Sequence, residues 1–195
     1  MLQFITRKNE RYSIEEQVKM VLEAGCKWIE LDINDATTEE VKAIIENLIP
    51  LCKESDAILV VDDFVDIVKE MEVTGIRLCK DTKNVGDVRN VLEGGPIIGV
   101  NLNTAGDIYA LKGIDVDYIT MEVTESHGLD TIKKIVSEVR DAGINIPIVA
   151  IGKMAAENIE EVMATGVNGI AMSDAIVNAE NPTEYTKTIL SKLYK

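Results

Sequence analysis

Ile146-Pro147-Ile148-Val149-Ala150-Ile151-Gly152, followed after a helix-period interval by Gly169-Ile170-Ala171-Met172, is the stretch that decides the fold. Each run is short, nearly continuous in apolar character and rich in branched residues, as a strand buried on both faces requires. Two such runs joined by an amphipathic interval form a strand-helix-strand crossover unit. Read outward from this unit, the pattern fills the chain. Strands are expected at Leu2–Thr6, Trp28–Ile33, Ala57–Val61, Ile76–Cys79, Ile97–Val100, Asp117–Met121, Ile146–Ile151 and Gly169–Met172. Between them lie helical stripes, such as Val41, Ile44, Ile45, Leu48 and Ile49, or Leu129, Ile132, Ile135, Val136 and Val139. Eight alternations predict an α/β fold, a (β/α)8 TIM barrel occupying residues 1–195 as one domain. Chemistry in such a barrel gathers in the loops at the carboxyl ends of the strands.

Helix starts are marked locally. Ser13 with Glu16 and Thr37 with Glu40 fit capping boxes, and a helix is expected over Ile14–Ala24 after the first. Asn181 and Pro182 fit the cap and first position of a final helix. Gly25, Gly75, Gly113 and Gly166 each precede an even-numbered strand and suit left-handed helix exits. Their alternation fits either a duplicated two-unit repeat or recurrent turn chemistry.

The chain has 195 residues and a net charge of −14. Nothing in it forms a basic stripe, which argues against a nucleic-acid partner. No apolar run approaches a membrane span and no signal peptide precedes the first strand, so a cytoplasmic location with no membrane partner is expected. Cys26, Cys52 and Cys79 show no paired spacing, which excludes a disulfide framework or zinc motif. Cys79 closes the fourth strand and faces the mouth if alternation holds.

The motifs resemble one family from end to end. Leu2–Thr6 is similar to the opening strand of the thiamine phosphate synthase/TenI family. Ile58 to Asp66 resembles its "IINDRVDLA" stretch, Thr74 to Leu78 its "DGVHL", and Ile97 to Val100 its "IIGVS". Ile146 to Gly152 resembles "IPVVAIGG", and Gly169 to Pro182 resembles "GVAVVSAIFGAEDP". The resemblance implies a transferase of thiamine biosynthesis. A pyrimidine diphosphate loses diphosphate and is captured by a thiazole phosphate. The resemblance also implies Mg²⁺, no organic cofactor, a phosphate-binding end after the seventh and eighth strands, and a homodimer.

Against that pattern the mouth departs in one direction. The family's Gln-x-Arg-x-Lys aligns with Glu30, Asp32 and Asn34, and its Asn-Asp with Asp62 and Asp63. Its second metal Asp aligns with Thr82, next to Asp81. Its Ser after the fifth strand aligns with Asn101. Its Thr-x-Thr-Lys loop is replaced by residues 122–128, which contain His127. Its second Gly after the seventh strand is Lys153, and its phosphate-binding Ser aligns with Asp174, beside Ser173. The expected site is therefore Arg77 and His127 as catalytic candidates, with Asp63 and Asp81 as metal ligands. Substrate contacts are expected from Glu30, Asp32, Asn34, Asp62, Asn101, Gly152, Lys153, Ser173 and Asp174. Ion pairs Asp32–Arg77 and Lys153–Asp174 are expected across the mouth. Three functions follow: a synthase with weak or lost coupling, a TenI-like thiazole phosphate tautomerase using His127, or a non-catalytic binder of a thiamine-related cationic or neutral small molecule.

Overall fold

The computed structural model describes residues 1–33, 36–79, 85–124 and 128–194. Strand and helix alternate in the order β1 (Leu2–Ile5), α1 (Ile14–Glu23), β2 (Trp28–Leu31), α2 (Thr38–Glu54), β3 (Ile58–Asp62), α3 (Val65–Glu70), β4 (Gly75–Leu78), α4 (Val85–Val91), β5 (Ile97–Asn101), α5 (Ala105–Ala110), β6 (Tyr118–Val123), α6 (Leu129–Asp141), β7 (Ile148–Gly152), α7 (Ile159–Met163), β8 (Gly169–Met172), α8 (Asp174–Val177) and α9 (Pro182–Leu193). The strands are all parallel, and β8 pairs with β1 to close the barrel. The expected (β/α)8 architecture is the observed one, with strand ends displaced by one or two residues. Among the described residues, no helix is long and apolar enough to cross a membrane.

Both capping boxes form, and Asn181 caps α9 ahead of Pro182. The α6 stripe buries Ile132, Ile135, Val136 and Val139 against the outside of the barrel. Each such side chain contributes roughly 1.5–3 kcal/mol of transfer free energy. The main core is this layer between strands and helices. A smaller cluster, Ile5, Tyr118, Val149 and Ala171, lies inside the barrel. Gly99 admits the Tyr118 ring there, since a Cβ at Gly99 would sit 2.1 Å from Tyr118 Cζ.

The glycine alternation does not survive as a repeat. Gly25, Gly113 and Gly166 leave helices at positive φ, but so does Gly143, ahead of the odd-numbered β7. Gly75 is instead the first residue of β4, where a Cβ would lie 3.1 Å from the Ile97 carbonyl oxygen. The left-handed residue before β4 is Glu72, with φ 53°.

A different device does recur, at the amino-terminal base. Arg89 of α4 donates to the Pro96 carbonyl and to Asp117, and Asp117 Oδ2 also accepts the Ile98 amide at 2.8 Å. Arg140 of α6 donates to the Ile144 and Ile146 carbonyls at 2.8 and 2.9 Å and to Asn168 Oδ1 at 2.9 Å. Asn168 Oδ1 likewise accepts the Ile148 amide. The arginine and its Asx partner are 28 residues apart in both clamps.

Candidate active site at the barrel mouth

Successive strand residues face opposite sides, so every second residue points into the barrel. On β2, β3 and β4 this turns Glu30, Asp62 and Arg77 inward, and the register sets Asp62 directly beside Arg77. Arg77 lies between two carboxylates. Its Nε donates to Glu30 Oε1 at 2.7 Å, and its Nη2 lies 3.0 Å from Asp62 Oδ2. Gln3 donates from Nε2 to Glu30 Oε2 at 2.7 Å and to the Tyr118 hydroxyl at 3.2 Å. Gln3, Glu30, Asp62, Arg77 and Tyr118 are all buried.

The electrostatics follow from counting charges. One guanidinium neutralises one carboxylate, and a second buried carboxylate is disfavoured as an anion. Burial raises the pKa of Glu30 against the opposing pull of Arg77. Burial likewise pushes Asp62 up to about 7, with Arg77 opposing and Glu30 adding to the rise. Burial works against the charge on Arg77, but Glu30 and Asp62 outweigh it and raise its pKa. The cluster therefore holds a proton near neutral pH.

At the rim, Asp32 pairs with Arg7, whose Nη1 lies 3.2 Å from Asp32 Oδ2. Asp174 Oδ1 lies 3.9 Å from Arg7 Nε. These contacts correct both expected ion pairs. Arg77 is paired by Glu30 and Asp62 rather than by Asp32, because Glu30 lies one pleat deeper than Asp32. Asp174 meets Arg7, and among the described residues Lys153 has no ion-pair partner. Glu30 was expected to contact a ligand directly. It is fully buried, bonded to Arg77 and Gln3.

Asn101, the last residue of β5, donates to Glu122 Oε1 of β6 at 3.0 Å. Gly152 packs so closely on β6 that a Cβ would meet the Val123 carbonyl oxygen at 2.7 Å. A cavity of about 560 Å³ opens at the ends of β7, β8 and β1, lined by Arg7, Gly152, Lys153, Ser173 and Asp174 among others. Among the described residues, the buried Ser173 hydroxyl has no hydrogen-bond partner. Asn34, Asp81 and His127 lie outside the described residues.

Asp62, Asp63 and Cys79 bring one ligand atom each within 4.8 Å of one another. The Cys79 amide donates to Asp63 Oδ1 at 2.9 Å. Burial, the Asp63 hydrogen bond and nearby negative charge push the Cys79 thiol up to about 12. It stays protonated at neutral pH, unfit as a nucleophile or as a ligand to a hard cation. Asp62 is engaged by Arg77, which leaves Asp63 as the described carboxylate suited to Mg²⁺. A hard cation of this kind commonly takes one or two carboxylates and completes its shell with waters and substrate phosphates.

Arg7, Gln3 and Tyr118 were not singled out from sequence. Arg7 had a usable signal, since it stands just past the carboxyl end of the first strand. Gln3 and Tyr118 had none beyond their inward parity.

Comparison with known proteins agrees with this fold. A family model described as thiamine monophosphate synthase matches residues 2–176. The thiamine-phosphate synthase of Bacteroides fragilis is 42% identical, with 97% of this chain and 98% of that protein covered. That of Bacteroides thetaiotaomicron is 39% identical, with 97% and 96% covered. The solved thiamine phosphate pyrophosphorylase from Pyrococcus furiosus has a TM-score of 0.87 at 28% identity, covering 100% of this chain and 96% of that one. With sequence, barrel and relatives in agreement, the chain belongs to the thiamine monophosphate synthase family.

Proposed function

We propose that this barrel binds a thiamine-related phosphomonoester at its mouth and that its coupling of pyrimidine diphosphate to thiazole phosphate is weak or lost. The observation that carries the reading is the enclosure of Arg77 between Glu30 and Asp62. Diphosphate departure needs cations that meet charge as it develops. Here the inward arginine is already engaged by Glu30 and Asp62, so its donors are not available to the leaving group. Loss of one electrostatic stabiliser commonly lowers kcat by about 10²–10³-fold.

The opposite side of the mouth differs in sign. Arg7 and Lys153 outnumber the single carboxylate Asp174 in the lining of one cavity, which also includes Ser173. A ligand with a phosphate at that end and a cationic or neutral ring toward Asp32 and Asp63 suits both halves. Where Mg²⁺ is bound, Asp63 would hold it, and the ion would neutralise phosphate oxygens. In this reading Asn101 and Gly152 border the ring and the phosphate end respectively.

The test is a coupling assay with both substrates and Mg²⁺, run beside the Bacteroides fragilis relative. The expected kcat/KM is lower by about 100-fold or more. Comparable turnover would overturn the reading.

A further inference from the structure

We propose that Arg7 is the anion-recognising residue of the mouth and that Gln17 is the positioning residue that holds it in place. The inference rests on the mouth being a small-molecule site, and it names the residue that reads the ligand's acidic group.

Arg7 follows β1, whose neighbours in the closed sheet are β2 and β8. It therefore stands on the seam between the acidic half of the mouth and the cavity. Its backbone is fixed from below. Gln17 of α1 is 1% exposed and spends its amide almost entirely on this one residue. The Arg7 amide donates to Gln17 Oε1 at 3.1 Å, and Gln17 Nε2 donates to the Arg7 carbonyl at 2.7 Å and to the Tyr12 carbonyl at 3.1 Å. A buried amide is costly unless paired. Here the pairing rigidifies a loop residue whose side chain remains 48% exposed.

The guanidinium is only partly committed. Asp32 takes Nη1 at 3.2 Å, while Asp174 lies 3.9 Å from Nε and is itself 71% exposed. A fork with five donors and one close carboxylate retains donors for a second oxyanion. Ser173 lines the same cavity, and among the described residues its enclosed hydroxyl has no hydrogen-bond partner. A phosphomonoester oxygen set offers acceptors to the remaining donors of Arg7 and to Lys153, which line this cavity together with Ser173 and Asp174.

The experiment is isothermal titration of the full chain with thiamine phosphate, thiamine and inorganic phosphate. It compares wild type, Arg7→Gln, Arg7→Lys, Gln17→Met and the remote exposed control Lys112→Gln. Arg7→Gln is expected to weaken thiamine phosphate binding by about 10-fold or more and to leave thiamine unchanged. Gln17→Met should narrow the preference for thiamine phosphate over thiamine in the same direction, by a smaller factor. The control should change neither. Arg7→Lys keeps the charge without the fork and should fall between, giving the same contrast if Arg7→Gln fails to fold. Equal weakening of both organic ligands, or of neither, sinks the role of Arg7 while leaving the proposed function intact. Arg7-dependent binding of inorganic phosphate without either thiamine compound supports Arg7 and overturns the proposed ligand. Wild type that binds none of the three overturns both.

Discussion

At the scale of single residues, Asp62 carries the clearest consequence. Its folded pKa of about 7 lies well above the ordinary aspartate range. The folded state therefore holds a proton that the unfolded chain releases between those values. The associated stability is complete below the ordinary value and is lost as pH rises through about 7. Urea unfolding should show wild type losing on the order of 2 kcal/mol between about pH 5 and pH 8 relative to Asp62→Asn. Parallel curves for the two proteins would contradict the assignment. The partner of Arg77 was the residue-scale feature that the sequence reading got wrong, since it expected Asp32. Parity places both Glu30 and Asp32 inward, but height along the barrel axis depends on stagger between strands. The register sets Asp62 beside Arg77, and the arginine side chain reaches Glu30, which pairs in register with Val60.

At the scale of elements, most of the architecture was legible because each strand and helix announces itself locally. Ser13, Thr37 and Asn181 cap as their side-chain chemistry dictates. The helix exits were less legible. Asp56, Glu72 and Glu93 take positive φ where glycine would be the ordinary choice, so composition gave no sign of them. The base clamps escaped notice because an arginine and an Asx residue 28 positions apart form no local motif. They tie a helix to the two strands that follow it. Arg140→Ala removes three hydrogen bonds from a charged donor and exposes two strand-entry carbonyls. It should destabilise the protein by about 2–3 kcal/mol in denaturant unfolding. Binding of thiamine phosphate to the folded variant should be unchanged, since the clamp lies at the opposite end from the mouth.

At the scale of the whole molecule, 34 acidic against 20 basic side chains leave a net charge of −14. Such an excess repels itself in the compact state, and salt screens it over a Debye length of about 10 Å at 0.1 M. Raising sodium chloride from about 0.02 M to about 0.5 M should raise Tm by a few degrees in differential scanning calorimetry, and a flat or falling Tm would show that the excess is locally compensated. Whole-molecule charge was fully legible in the sequence; its partition into an acidic and a basic side of one mouth was not, since loops from opposite ends of the chain meet there. The enclosed guanidinium also constrains how such a barrel drifts over generations. Losing Arg77 first strands two buried carboxylates, at about 3–5 kcal/mol for each broken pair, out of a total stability of about 5–15 kcal/mol. Replacing Glu30 by Gln first leaves a balanced pair with Asp62. A lineage leaving this arrangement is thus forced to lose a carboxylate before the arginine, and one entering it to gain the arginine before the second carboxylate.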